Sequence, residues 1–164
     1  MEEKIRLGKM LVESNLLTEE QLKMAMEIGN KIKDLYDTLA KLRDAKQQAS
    51  QIAEKAGAGS PVAAAATAFT AKIVAVEGEL TQLQGEAGQD ALNFPGRLDN
   101  QLVALYSNVT QLERRVNKSV KERYTDLRPS TDDLMERAQG VLTGDLAAFN
   151  AVAARAGAPV ITIK

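Results

Sequence analysis

The chain has 164 residues, enough for one compact domain with an appendage, and its 21 Lys and Arg nearly balance 22 Asp and Glu for a net charge of −1. With both signs interspersed, no global field favours nucleic acid or an anionic membrane. The absence of Cys and His excludes disulfides, thiolate chemistry, Cys-based metal sites and the commonest general base.

Ala, Leu, Val, Gln, Glu and Lys dominate, and aromatics are only 4% with no Trp, which is the composition of packed helices. The start, Met1-Glu2-Glu3-Lys4, is acidic and lacks a following apolar core, so no secretion signal is expected. No apolar run approaches the roughly 20 residues needed to span a bilayer. A cytoplasmic, soluble chain is the expectation.

The pattern predicts a short amphipathic helix over Glu3 to Glu13, with Ile5, Leu7, Met10 and Leu11 along one side. Ser14-Asn15 breaks it, because Asn tolerates the left-handed conformation that ends a helix. Thr18-Glu-Glu-Gln21 has capping-box spacing. The helix it opens runs to Ala56, about 58 Å, and stops at Gly57-Ala-Gly-Ser-Pro61. From Ile28 its apolar positions step by four and three through Ile32, Leu35, Leu39, Leu42, Ala49, Ile52 and Ala56, a seam for partner helices.

Ser60 and Pro61 suit an N-cap and a first helical residue. The helix they open shows Ala66, Phe69, Ile73, Val76, Leu80 and Leu83, with Gly85 and Gly88 ending it and a turn at Asn93-Phe-Pro-Gly96. A third helix is predicted on Leu98, Leu102, Leu105, Val109, Leu112, Val116 and Val120, interrupted at Arg128-Pro129. Ser130 or Thr131 caps a fourth, with Asp132 and Asp133 in its first turn. Its inner face is Leu134, Ala138, Val141, Leu146, Phe149 and Val152, closed by Gly157 and Pro159. The fold class predicted is all-α: an antiparallel up-down four-helix bundle over residues 31–164, its first long helix extended by an N-terminal hairpin over residues 1–30. Residues 18–30 are expected to project past much of that bundle.

Two stretches resemble known families. Arg6-Leu7-Gly8, Leu11-Val12, Leu16-Leu17, Leu22 and Met26 are similar to one motif of the N-terminal domain of type II secretion and type IV pilus assembly ATPases. Some members of that family bind cyclic di-GMP through Arg, backbone groups and packed Leu side chains. The resemblance therefore implies a candidate ligand set of Arg6, Leu7, Gly8, Leu22 and Met26. Asn15 stands at the motif's Gly and Gly29 at its closing Gln, and no second copy follows. The competing reading makes Leu7, Leu11, Leu16, Leu22 and Met26 a hairpin mini-core with Arg6 solvated.

From about Asp34, the segments Asp34-Leu-Tyr-Asp37, Leu42-Arg-Asp44, Val76-Glu-Gly-Glu-Leu80, Leu92-Asn-Phe-Pro-Gly-Arg-Leu-Asp-Asn-Gln-Leu102, Asp145-Leu-Ala-Ala-Phe-Asn150 and Ala156-Gly-Ala-Pro-Val160 resemble the C-terminal helical region of bacterial sortilin-like BNR-repeat glycosyl hydrolase proteins. In that family the helices trail a β-propeller, so the resemblance implies a structural region and transfers no hydrolase activity. A chain combining both stretches is expected to be chimeric or truncated, with the join near residue 30.

Asp132-Asp133 could serve metal or acid–base work, but adjacent helical residues diverge by about 100°, and helix capping is the simpler role. Arg114, Arg115, Lys118, Lys121 and Arg123 form a basic patch diluted by Glu113 and Glu122. With few stacking aromatics this reads as a solvated face, or one paired with the first long helix, rather than a nucleic-acid surface. Gly78, Gly140 and Gly144 inside helices suggest close helix approach. The functional expectation is a non-enzymatic interaction module: no catalytic residue, metal or cofactor, and a protein partner or self-association through helical surfaces. Neither nucleic acid, a membrane nor a small-molecule ligand is expected, with cyclic di-GMP binding as the alternative.

Overall fold

The computed structural model describes residues 2–84, 94–112 and 114–163, with the side chains of residues 2–5 and 7 outside the description. It is all-helical, with no strand among the described residues. Helices α1 (Glu2–Glu13), α2 (Glu19–Ala56), α3 (Pro61–Leu80), α4 (Leu98–Val109), α5 (Lys118–Gly140) and α6 (Leu146–Arg155) follow in order, with a π-helical segment, Val141–Asp145, joining the last two.

Local chemistry sets most of the boundaries. Asn15 ends α1 with φ 56°, the left-handed region that Asn tolerates. The Thr18 hydroxyl then accepts the Gln21 backbone N–H at 3.1 Å while Thr18 N–H donates to Gln21 Oε1 at 3.1 Å, so both halves of the capping box are present. Gly57 at φ 84° stops α2, and the Ser60 hydroxyl caps α3 by accepting from Ala63 N–H at 3.1 Å. The α3 helix ends at Leu80, earlier than its periodicity suggests, because Thr81 turns extended and its hydroxyl donates to Asp99 at 2.7 Å. Leu83, expected on the inner face, is exposed instead. Gly85, Gly88 and Asn93 lie outside the described residues.

The larger departure concerns the third and fourth helices. The chain breaks at Thr110–Asn117, where the Asn117 side chain accepts from Val120 N–H at 2.9 Å, and not at Arg128-Pro129. Pro129 sits inside α5 on its exposed side. An internal Pro costs about 3 kcal/mol, but burial of Tyr124 and Leu127 on the opposite side offsets it at roughly 1.5–3 kcal/mol each. Ser130 and Thr131, expected as caps, instead donate their hydroxyls back to the Leu127 carbonyl at 2.9 and 2.8 Å.

Moving that break changes the direction of the last helices. Arg43 and Lys46 on α2 meet Glu77 on α3, so α3 returns along the C-terminal half of α2. The α4 helix continues the same way along the N-terminal half, with its Val109 carbonyl beside Gln21. The α5–α6 rod then runs back parallel to α2, pairing Lys121 with Glu20, Arg128 with Glu27 and Lys31 with Asp132. The pairs Glu79–Arg137 and Lys72–Asp145 make it antiparallel to α3. The predicted up-down-up-down alternation is therefore replaced by up, down, down and up. Residues 18–30 do not project: α4 and α5 cover them, and Gln21, Ala25 and Ile28 are buried.

One hydrophobic cluster runs the whole length, from Ala25 and Ile28 through Leu35, Leu39, Phe69 and Leu102 to Ile161. The Phe69 and Phe149 rings stack inside it with centroids 5.6 Å apart. By length and composition α3 is apolar enough to cross a membrane, contrary to the expectation that no such run exists. Its Phe69, Ile73, Val76 and Leu80 side chains face this core.

Candidate functional site

The N-terminal hairpin carries the candidate ligand residues. Its turn is closed by backbone bonds from Leu16 and Leu17 N–H to the Leu11 carbonyl at 2.9 and 3.2 Å. Asn15, at φ 56°, adopts the left-handed conformation that Gly takes most readily and Asn tolerates. Gly8 faces Leu22: a Cβ there would lie 2.6 Å from Cδ1, at the mobile end of that side chain.

Arg6 is exposed, Leu22 half-buried and Met26 exposed; Leu7's side chain lies outside the description. Leu11, Leu16 and Leu22 are half-buried, and the hairpin's fully buried apolar side chains among those described are Leu17, Ala25 and Ile28. Met26 therefore takes no part in the mini-core expected of it, whereas Arg6 is solvated as that reading has it. Further along, Gly29 lies under the Tyr106 ring of α4, whose Cε2 is 3.4 Å from where a Cβ would sit. A Gln at that position, as the motif has, would meet Tyr106.

Gln21 does more than cap. Its Nε2 donates to the Arg114 carbonyl at 2.7 Å and to that of Val109 at 3.4 Å. The hairpin's second helix is thereby tied to the α4–α5 connection. Gln21's capping-box position was legible in sequence; its cross-bundle bond was not.

The remaining charged candidates resolve into structural roles. Asp132 lies mid-helix and pairs with Lys31 at 2.5 Å, so it does not cap a helix start. Arg114 and Arg115 sit in the α4–α5 connection, and Lys121 pairs with Glu20 at 2.6 Å. Part of the basic patch is thus neutralised by the long helix. The Glu77 carboxylate is 2% exposed and accepts from Arg43 Nε at 2.6 Å and Lys46 Nζ at 2.7 Å. Burial pushes its pKa up, but the hydrogen bonds from Lys46 and Arg43 outweigh this and leave it below the ordinary value.

Tyr124 carries the one buried side-chain polar atom without a partner among the described residues. Burial pushes its phenol strongly up, helped by the neighbouring Glu27 carboxylate. No group of three or more metal-ligating side chains occurs among the described residues. A groove of about 180 Å³ lies between α3 and α6, with Ala68, Phe69, Ala148 and Phe149 along it and the Lys72–Asp145 pair at its rim.

Gly78 would place a Cβ at ordinary contact distance from Leu83, and Gly140 and Gly144 would meet nothing within 4 Å. Close helix approach therefore explains neither of the last two, of which Gly140 precedes the π-helical turn and Gly144 lies within it. No family model, curated protein or solved structure matches the chain.

Proposed function

We propose that the chain is a non-enzymatic helical module that works by protein contact. The observation that carries this reading is where its buried polar groups go. Of the five buried polar residues among those described, Gln21, Glu77, Asp99 and Thr131 are each bonded to another part of the same chain, and Thr38 is a single hydroxyl on α2, so no group of them converges on a pocket for chemistry. The Tyr124 hydroxyl is buried without a partner, and its raised phenol makes it a poor proton donor.

The contact surface we assign is the outer seam of α2 and α4. Tyr106 and Val103 are exposed one turn apart on α4. Gly29 and Tyr36 are spaced seven residues apart on the α2 face that Tyr106 covers. Exposed Tyr side chains of this kind are enriched where proteins meet. Sedimentation up to about 1 mM, where even an interaction of roughly 4 kcal/mol registers, tests the self-association form of this reading. Concentration-dependent association weakened by Tyr106→Lys is the expected result, and a strictly monomeric chain counts against it.

A regulatory module binding cyclic di-GMP is the second reading, supported by a left-handed Asn15 where the resembled motif has Gly and by Gly8 lying against Leu22. Against it stand the single motif copy and Tyr106 over Gly29. We expect calorimetric titration to show no saturable binding at micromolar nucleotide. Binding with one nucleotide per two chains, abolished by Arg6→Ala, promotes this reading above the first. By resemblance, residues 1–30 and 31–164 descend from different parents, and we propose that the join gives a chimeric chain kept in the cytoplasm.

A further inference from the structure

The α5–α6 rod changes helix type between Gly140 and Leu146. Within Val141–Asp145 the helix widens, and the Leu146 N–H reaches back five residues to the Val141 carbonyl. Gly140 immediately precedes this turn and Gly144 lies within it, both in ordinary helical surroundings: Gly140 has φ −59°, and a Cβ at either position meets nothing within 4 Å. Neither steric room nor backbone conformation calls for Gly here, so both positions forgo helix propensity without a packing return. A π-helical turn adds a mispaired backbone to the same stretch.

Directly across from this weak point the outer clasps to α3 are ionic. Arg137 holds Glu79 just before the turn, and Asp145, its last residue, is held by Lys72 at 2.5 Å with both partners partly in water. Beyond it, α6 lays Phe149 on Phe69 over the open groove, and Asn150 brackets Ile161 through two bonds of 2.8 and 3.0 Å.

We propose that Val141–Asp145 is a hinge. About it, α6 with its Asn150–Ile161 bracket swings away from α3 as a unit, with the Lys72–Asp145 pair as the latch. Opening uncovers the facing surfaces of Phe69 and Phe149, and closing restacks them. This differs from fraying of a terminal helix, which loosens progressively from its free end. A hinge instead lets residues 146–153 open together, with a sharp change at 141–146.

Native-state amide exchange on the full chain decides between these. The expected result is a step: amides of residues 146–153 open together, on the order of 100-fold more readily than those of Tyr124–Ala138. The double variant Gly140→Ala/Gly144→Ala slows exchange in that block and leaves residues 124–138 little changed. Lys72→Met speeds it. Three outcomes overturn the hinge: exchange of the block only by global unfolding, a smooth gradient toward residue 155, or a uniform rise in protection across the chain in the double-Ala variant.

Discussion

The Gln21 side chain donates 2.7 Å to the Arg114 carbonyl, bridging the start of the long α2 helix to the connection between α4 and α5. That bond, with buried Ala25 and Ile28, makes residues 19–29 part of the common core. Removing residues 1–17 loses Leu17 and the Gly8–Leu22 contact, and we expect a loss of about 1–2 kcal/mol. Removing residues 1–29 also strips Ile28, which is fully buried. Losing a comparable side chain to Ala alone costs about 2–5 kcal/mol, so this longer deletion should unfold the N-terminal half of the bundle. Urea midpoints of the two truncations test the difference, and equal midpoints would show that residues 18–29 contribute no stability.

Glu77 predicts an asymmetry. Its folded pKa lies below the ordinary 4.5, so its contribution is complete above the unfolded pKa. That contribution drains away as pH falls through the folded value. Acid unfolding should therefore release a proton-linked share of stability below about pH 4.5, and Glu77→Gln should flatten that part of the profile at a cost of about 1–3 kcal/mol at neutral pH. The double variant Arg43→Met/Lys46→Met leaves the carboxylate buried and unpaired. We expect it to cost about 3–5 kcal/mol at pH 7 and less near pH 4, where Glu77 takes up its proton. Denaturant titrations at the two pH values check both signs.

The stacked rings give a coupled pair. Phe69→Ala should cost about 3–5 kcal/mol, and Phe149→Ala a similar amount, since both side chains are buried. In a double-mutant cycle the interaction between them is expected at about 0.5–1.5 kcal/mol. A coupling indistinguishable from zero would mean that the two rings stabilise the fold independently.

Much of this fold could be read from residues whose structural role is local. Thr18, Ser60 and Asn15 act through bonds within a few positions, as does Gln21 in its capping-box role, and Pro61 takes the first helical position that its fixed φ favours. The seam of Ile28, Leu35, Leu39 and Leu42 is likewise set by helical period. Topology failed at a competition between local and tertiary forces. Pro129 is a strong local breaker, yet Tyr124, Leu127 and Thr131 bury one face through it. Asn117, a good N-cap in a polar stretch, was the missed signal. The candidate ligand residues were legible only as a pattern, because Tyr106 over Gly29 comes from an element 77 positions away.

Pro129 supplies the sharpest check on that account. In α5 it lacks the N–H that would bond back to the Thr125 carbonyl, and its ring crowds that carbonyl. Because Pro129 is exposed, replacing it removes no buried contact. Pro129→Ala should therefore stabilise the chain, by about 1–3 kcal/mol once the greater freedom of the unfolded Ala chain is set against the regained bond. If α5 instead began after Pro129, as its local preference suggests, the ring would sit at or before a first helical turn where Pro is favourable. The same substitution would then destabilise. The sign of the change in thermal midpoint distinguishes a helix that runs through Pro129 from one that starts beside it.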